Sequence, residues 1–190
     1  VYVLFPKILS ILSIKFDFRV IHISTDAVFS GKKGNYLDTD SPDPIDLYGR
    51  SKLLGEVSNE NATTIRTSII GPEISSENGL FEWFRNQEGL IYGYKNAWFS
   101  GFTTIELSRI IYKLIIQGKI KNDIYNLSSY PINKYELLKL INNIYGLNKE
   151  ILEDDSVEIN RTLNCDKFSK ETGFIKDKWE NMIIRMRDFD

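Results

Sequence analysis

The sequence has 190 residues, 42% of them hydrophobic and 26% charged, with a formal net charge of −2 and an isoelectric point near 5.6. That balance can bury a core and lacks the basic surplus of a general nucleic-acid binder. One cysteine, Cys165, and one histidine, His22, exclude an internal disulfide and any Cys/His cluster at zinc spacing, so Cys165 reads as a bystander thiol.

Residues 1–14 form an apolar stretch interrupted by Pro6, Lys7, Ser10 and Ser13. The stretch falls short of the ~20 residues a bilayer span needs and lacks the basic lead and cleavage site of a signal peptide. It reads as a core-facing helix cut off from a preceding part of the protein, because the chain opens on Val1 rather than Met. Residues 19–24 are a short, β-branched, nearly continuous apolar run, the pattern of a buried parallel strand. His22 within that run reads as a packed, hydrogen-bonded residue rather than a catalyst. Residues 31–44 show turn formers and no periodicity, which predicts a loop. A helix start follows, with Asp43 as cap, Pro44 at the first helical position and Asp46 in the first turn; the helix is expected to reach about Asn59. Residues 63–68 read as the next strand, closed by Gly71 and Pro72.

In the second half, residues 79–87 predict a short helix whose Phe81, Trp83 and Phe84 read as core. Residues 104–117 predict an amphipathic helix. A strand at 124–127, a helix at 133–145 ended by Gly146, and helical segments at 165–172 and 178–187 complete the chain. Neither an internal repeat nor a low-complexity linker interrupts it, so two halves are expected to pack about a cleft in an α/β layout.

Tyr48 and Lys52 stand four residues apart on the predicted helix, one turn apart on one face. A free tyrosine has a pKa of about 10. An adjacent cation stabilises the phenolate and draws that value toward the range useful for proton transfer. The spacing alone is common by chance. Ser24, Thr25 and Asp26 fall at the carboxyl end of the predicted strand, where open α/β sheets hold ligands. A hydroxyl there can hydrogen-bond a substrate carbonyl while the tyrosine protonates its oxygen. Taken alone, the triplet reads as a strand end shaping a turn.

Read in order, several segments resemble the extended short-chain dehydrogenase/reductases, and among them the dTDP-4-dehydrorhamnose reductase type. They are Ile23-Ser24-Thr25-Asp26-Ala27-Val28-Phe29-Ser30-Gly31, the acidic loop, Pro44, and Leu47-Tyr48-Gly49-Arg50-Ser51-Lys52-Leu53-Leu54-Gly55-Glu56. Ile65-Arg66-Thr67-Ser68-Ile69-Ile70-Gly71, Phe99-Ser100-Gly101-Phe102-Thr103-Thr104-Ile105-Glu106-Leu107 and Tyr125-Asn126-Leu127-Ser128 extend the series.

The resemblance implies an α/β fold: a partial Rossmann domain, that is a doubly wound parallel sheet lacking its first strands, with a smaller mixed substrate-binding lobe. Residues 1–72 would complete the NAD(P)-binding domain, and residues 73–190 would form mainly the lobe, with some segments returning to the core. Tyr48 would be the general acid. Lys52 would lower its pKa and hold the nicotinamide ribose, and Thr25 would orient the carbonyl. Ser24 and Asp26 would line the sugar pocket. Arg161 would contact the diphosphate, a role its planar guanidinium suits, although it reads equally well as a surface arginine. Arg66 reads as structural. The implied cofactor is NADPH or NADH, with no metal. The implied substrate is a nucleoside-diphosphate 4-keto-6-deoxy sugar, used in deoxysugar synthesis for surface polysaccharide. A cytoplasmic enzyme without nucleic-acid or membrane partners is expected, and a homodimer is left open.

Two departures qualify the resemblance. No Gly-x-x-Gly-x-x-Gly run precedes a helix anywhere in the chain, so these residues by themselves are expected neither to hold the dinucleotide firmly nor to turn over. Ala27 and Ile69 stand where rhamnose-forming relatives often carry aromatic residues. Two alternatives remain. One is an epimerase or dehydratase of the same superfamily, which Ala27 in place of a glutamate disfavours. The other is a non-catalytic binding or regulatory subunit on the same fold.

Overall fold

Strand-forming runs alternate with helical periodicity along this chain, and the backbone follows that alternation. The computed structural model describes residues 1–74, 79–118 and 120–190. Helix α1 (Leu4–Phe16) leads into β1 (Val20–Thr25), a single 3-10 turn (Asp26–Val28), α2 (Leu47–Leu54), β2 (Ala62–Thr67) and β3 (Ile69–Ile70). Then come α3 (Leu80–Asn86), β4 (Ile91–Tyr94), β5 (Ala97–Phe99), β6 (Phe102–Thr103) and α4 (Thr104–Gln117). The chain ends with β7 (Ile124–Asn126), β8 (Ile132–Asn133), α5 (Lys134–Tyr145), β9 (Ile151–Asp154), β10 (Ile159–Asn160), α6 (Asp166–Thr172) and α7 (Trp179–Arg187).

Strands β1, β2 and β7 form a parallel sheet in that order, with Ser24 opposite Arg66, Thr25 opposite Thr67 and Thr64 opposite Ile124. Parallel neighbours need long crossovers, which is why helices lie between them. Every residue of β2 is buried, as expected of a central strand covered on both faces. A second sheet, β10-β5-β8, is mixed, and β3–β6 and β4–β9 are parallel pairs. The architecture is therefore α/β, with a parallel sheet beside smaller mixed pieces. One apolar cluster runs through it and includes Phe81, Phe84, Phe102, Tyr125, Leu137, Phe168 and Met182.

Helix ends follow local chemistry. Thr103 caps α4 by accepting the Glu106 N–H, and Asn133 caps α5 through the N–H of Glu136. Gly146 ends α5 at φ 63°, a left-handed position that favours glycine.

Three expectations require correction. Helix α1 does not face the core: it buries Pro6, Ser10 and Ser13, while Leu4, Phe5, Ile11 and Phe16 are exposed. Its small polar stripe packs inward because Asn59 and Asn61 donate to Ser10 and Ser13. Helix α2 begins at Leu47 with Asp46 as its cap, not Asp43, and stops at Gly55 well before Asn59. The Asp43 carboxylate instead accepts the Ser30 N–H at 2.8 Å. His22 is packed, but its Nε2 has no hydrogen-bond partner.

The loop after β1 is tied to distant chain. The Tyr36 ring stacks on Phe29 at 4.2 Å, and its hydroxyl accepts the Gly31 and Lys33 N–H groups at 3.1 Å each. The Tyr36 backbone exchanges hydrogen bonds with Thr162 and Asn164. Among the described residues, no helix is long and apolar enough to cross a membrane, and no His/Cys/Asp/Glu group could hold a metal ion.

Candidate active site

The parallel ladder carries β1 to its carboxyl end at Thr25, where the strand gives way to the 3-10 turn. Thr25 is the cap of that turn and accepts the Ala27 N–H through its hydroxyl at 3.2 Å. Helix α2 lies across this tip. Its first turn is held by Asp46, which accepts the Gly49 N–H at 2.6 Å. Gly49 lets the helix come close: a Cβ there would lie 2.2 Å from the Ala27 carbonyl oxygen. This approach sets Tyr48 beside Thr25 on the border of one cleft.

A cleft of about 540 Å³ opens at this junction, bordered by residues 23–27, Asp46, Tyr48, Lys52, residues 67–69 and Arg161. Thr25, Tyr48, Lys52, Ser24, Asp26 and Arg161 thus share one cavity. Their commitments within it differ. The Ser24 hydroxyl turns to the interior and donates to Glu56 at 2.8 Å. The Lys52 ammonium donates to the Ile23 carbonyl at 2.6 Å and lies 5.4 Å from the centre of the Tyr2 ring. Tyr2 also meets Tyr48 edge-on at 6.0 Å. Arg161 extends from the segment after β10, its backbone N–H bound to the Trp98 carbonyl. One of its terminal nitrogens stands 3.8 Å from Asp46, and its buried Nε has no acceptor.

Electrostatics follow from burial. Desolvation is the largest influence on Tyr48 and pushes its pKa up. Tyr2, Asp26 and Asp46 push in the same direction, and the Thr25 hydrogen bond opposes them. The expected lowering by Lys52 is not what this geometry produces, since burial dominates at Tyr48; the Lys52 ammonium donates to the Ile23 carbonyl, and its own pKa is lowered, chiefly by burial. Asp26 is 8% exposed and its pKa is raised to about 6 by burial, against the pull of Arg161, Lys134 and hydrogen bonds from Thr25 and Ser68. Sequence reasoning missed Ser68, Lys134, Tyr2 and Glu56. For Lys134, at the start of α5 with its ammonium 4.0 Å from the Phe99 ring centre, no local pattern marks the approach to Asp26.

Residues 1–83 match the family model described as the RmlD substrate binding domain. The chain is similar, over part of its length, to dTDP-4-dehydrorhamnose reductases. A dTDP-4-dehydrorhamnose reductase of Sinorhizobium fredii is 52% identical to it over 56 residues, 27% of this chain and 19% of that protein. Methionine adenosyltransferase 2 subunit beta of Danio rerio is 40% identical over 79 residues, 37% of this chain and 24% of that protein. The stretches matched in these relatives are therefore a minor part of their own length. The crystal structure of a dTDP-4-dehydrorhamnose reductase of Bacillus anthracis, in complex with NADP, superposes with a TM-score of 0.81 at 21% identity. That superposition covers 97% of this chain and 70% of the crystal chain, and it shows the shared fold.

Proposed function

We propose that this chain forms the carbonyl-reducing centre of an NAD(P)H-dependent nucleotide-sugar reductase acting on a 4-keto-6-deoxy sugar, in deoxysugar synthesis for surface polysaccharide. The observation that carries the reading is the convergence of Thr25, Tyr48, Lys52 and Arg161 on one cleft at the tip of β1. In this reading, residues 1–72 belong to the dinucleotide-binding domain and residues 73–190 mainly to the substrate lobe.

The residues present fit the nicotinamide end of such a cofactor. Lys52 spends one of its three N–H donors on Ile23, which leaves two for ribose hydroxyls. The cofactor, when bound, supplies the hydride. Tyr48 gives the proton to the carbonyl oxygen as that oxygen gains charge. Arg161, with an unsatisfied buried Nε, suits the diphosphate.

The test is reduction of a dTDP-4-keto-6-deoxy sugar by the full protein with NADPH or NADH. Tyr48→Phe is expected to cut kcat by at least about a hundredfold while circular dichroism stays native. Unchanged turnover in that variant removes the mechanism. A second reading, a non-catalytic subunit on the same fold, draws support from the likeness to methionine adenosyltransferase 2 subunit beta. It predicts no reduction by the wild type and formation of a complex with another enzyme.

A further inference from the structure

A lysine ammonium rides on a flexible stem with three rotatable donors, so its position is set by what surrounds it. Two groups bracket that of Lys52. The Ile23 carbonyl accepts one N–H at 2.6 Å, and the Tyr2 ring presents its face with 5.4 Å between the nitrogen and the ring centre. A cation is drawn to the negative face of an aromatic ring out to about 6 Å. The same ring meets Tyr48 edge-on, with 6.0 Å between centres and the planes at 89°. One side chain thus abuts both members of the pair that α2 carries.

We propose that Tyr2 is a positioning residue for Lys52. Its ring holds the ammonium by cation–π attraction, so that the N–H groups not given to Ile23 stay available to the ribose hydroxyls of a nicotinamide cofactor. The inference rests on the reductase reading for its ligand, and it adds to that reading a residue outside the lining of the cleft. A second carbonyl or a carboxylate in place of the ring would take up a donor. A ring attracts the charge as a whole and needs no directed N–H.

Tyr2 is itself fixed against the end of α2 through its main chain. Gly55 packs so closely that a Cβ there would lie 2.0 Å from the Tyr2 carbonyl oxygen. Lys7, in the first turn of α1, donates to the Glu56 carbonyl at 2.6 Å. The ring is therefore anchored to the element that bears Tyr48 and Lys52. Its side chain is not core: Tyr2 is 54% exposed. Replacing it removes the contact with the ammonium without opening a buried cavity.

The test grades the ring while keeping its shape. In the full protein, Tyr2→Phe is compared with phenylalanines carrying one, two and three ring fluorines at the same position, and with Tyr2→Leu. Fluorine drains the ring face of negative charge in steps. Binding of NADPH is followed by nucleotide fluorescence. Tyr2→Phe is expected to match the wild type, each added fluorine to weaken binding, and Tyr2→Leu to weaken it about two- to fivefold, with circular dichroism native throughout. In the assay the same series should raise KM for NADPH and leave kcat little changed. Gly55→Ala, which displaces the Tyr2 main chain, should weaken binding like Tyr2→Leu and add nothing to it in the double variant. Affinity that stays flat across the fluorine series overturns the proposal. A second readout needs no ligand: in protein labelled with ¹³C at lysine Cε, the Lys52 methylene is assigned by its loss in Lys52→Arg. Its protons are expected to be shifted upfield by the ring in the wild type and to return to the ordinary lysine position in Tyr2→Leu. A Lys52 signal unshifted in the wild type, or unmoved in Tyr2→Leu, also overturns it. If the full protein neither binds NADPH nor reduces a sugar nucleotide, the reductase reading fails and the role toward the ribose with it. The lysine spectra then still decide whether the Tyr2 ring holds the ammonium.

Discussion

The Glu56 carboxylate and the Arg66 guanidinium meet in the interior as a two-pronged pair, with Nε to Oε1 at 2.8 Å and Nη2 to Oε2 at 2.7 Å. Their side chains are 4% and 5% exposed, and the Ser24 hydroxyl closes on the same Oε1. The pair joins the segment after α2 to β2 and, through Ser24, to β1, directly beneath the cleft. Removing one partner strands a buried charge, so Glu56→Ala is expected to cost about 3–5 kcal/mol in urea denaturation. A loss under about 1 kcal/mol would mean that the guanidinium finds solvent.

Gly49 is the point where α2 touches the strand tip. In Gly49→Ala the new Cβ would press on the Ala27 carbonyl oxygen, and the helix has to back away with Tyr48 on it. A displacement of about 1 Å at reacting groups costs on the order of a hundredfold in rate. The variant is therefore expected to lose far more turnover than thermal stability, measured as kcat beside a melting curve. Wild-type kcat in this variant would show that the contact does not set the position of Tyr48.

Two groups pull stability in opposite directions as pH changes. His22 has its pKa lowered to about 4, by burial first and then by Lys52. The unfolded chain thus binds the extra proton first, and the stability His22 contributes above pH 6.5 is lost as pH falls toward 4. Asp26 is raised to about 6, so its contribution is present below pH 3.8 and lost as pH rises through 6. Asp26→Asn should therefore raise the melting temperature at pH 7.5 more than at pH 4, while His22→Phe should flatten the acid-side decline. The opposite ordering in either variant would contradict these environments.

Tyr36→Phe keeps the ring on Phe29 but removes the acceptor of the Gly31 and Lys33 N–H groups. Leaving the buried Gly31 donor unpaired costs about 1–3 kcal/mol, which denaturation can measure, whereas the N–H of the exposed Lys33 can turn to water. Hydrogen exchange should quicken at those two amides while β2 keeps its protection.

The features legible in the sequence were those with a local cause. Helix α4 spans the residues its periodicity predicts, since Leu107, Ile110 and Leu114 line one face between the Thr103 cap and Gly118. Tyr48 and Lys52 share a helix at one-turn spacing, and Thr25 ends a strand whose β-branched run is plain. What escaped depended on partners far along the chain. The sequence pattern makes Asp43 the cap and Asp46 a first-turn residue, whereas Asp43 accepts the N–H of Ser30 and Asp46 that of Gly49. The two-residue strands β3, β6, β8 and β10 are too short to carry a period. The apolar residues of α1 suggested burial, yet Asn59 and Asn61 turn its serines inward instead. Lys134 comes near Asp26 only through the packing of α5, which no spacing announces.

The cleft's walls come from widely separated stretches of chain, and synthesis delivers them in sequence. Strand β1 and helix α2 leave the ribosome early, but Lys134 follows much later, and Arg161, with the Thr162 and Asn164 contacts that anchor the Tyr36 loop, later still. A nascent chain halted between β5 and α5 would already hold the phenol and hydroxyl, with neither Lys134 nor Arg161 to balance the buried acid beside them. The pocket thus reaches its working charge only once the segment after β10 is in place.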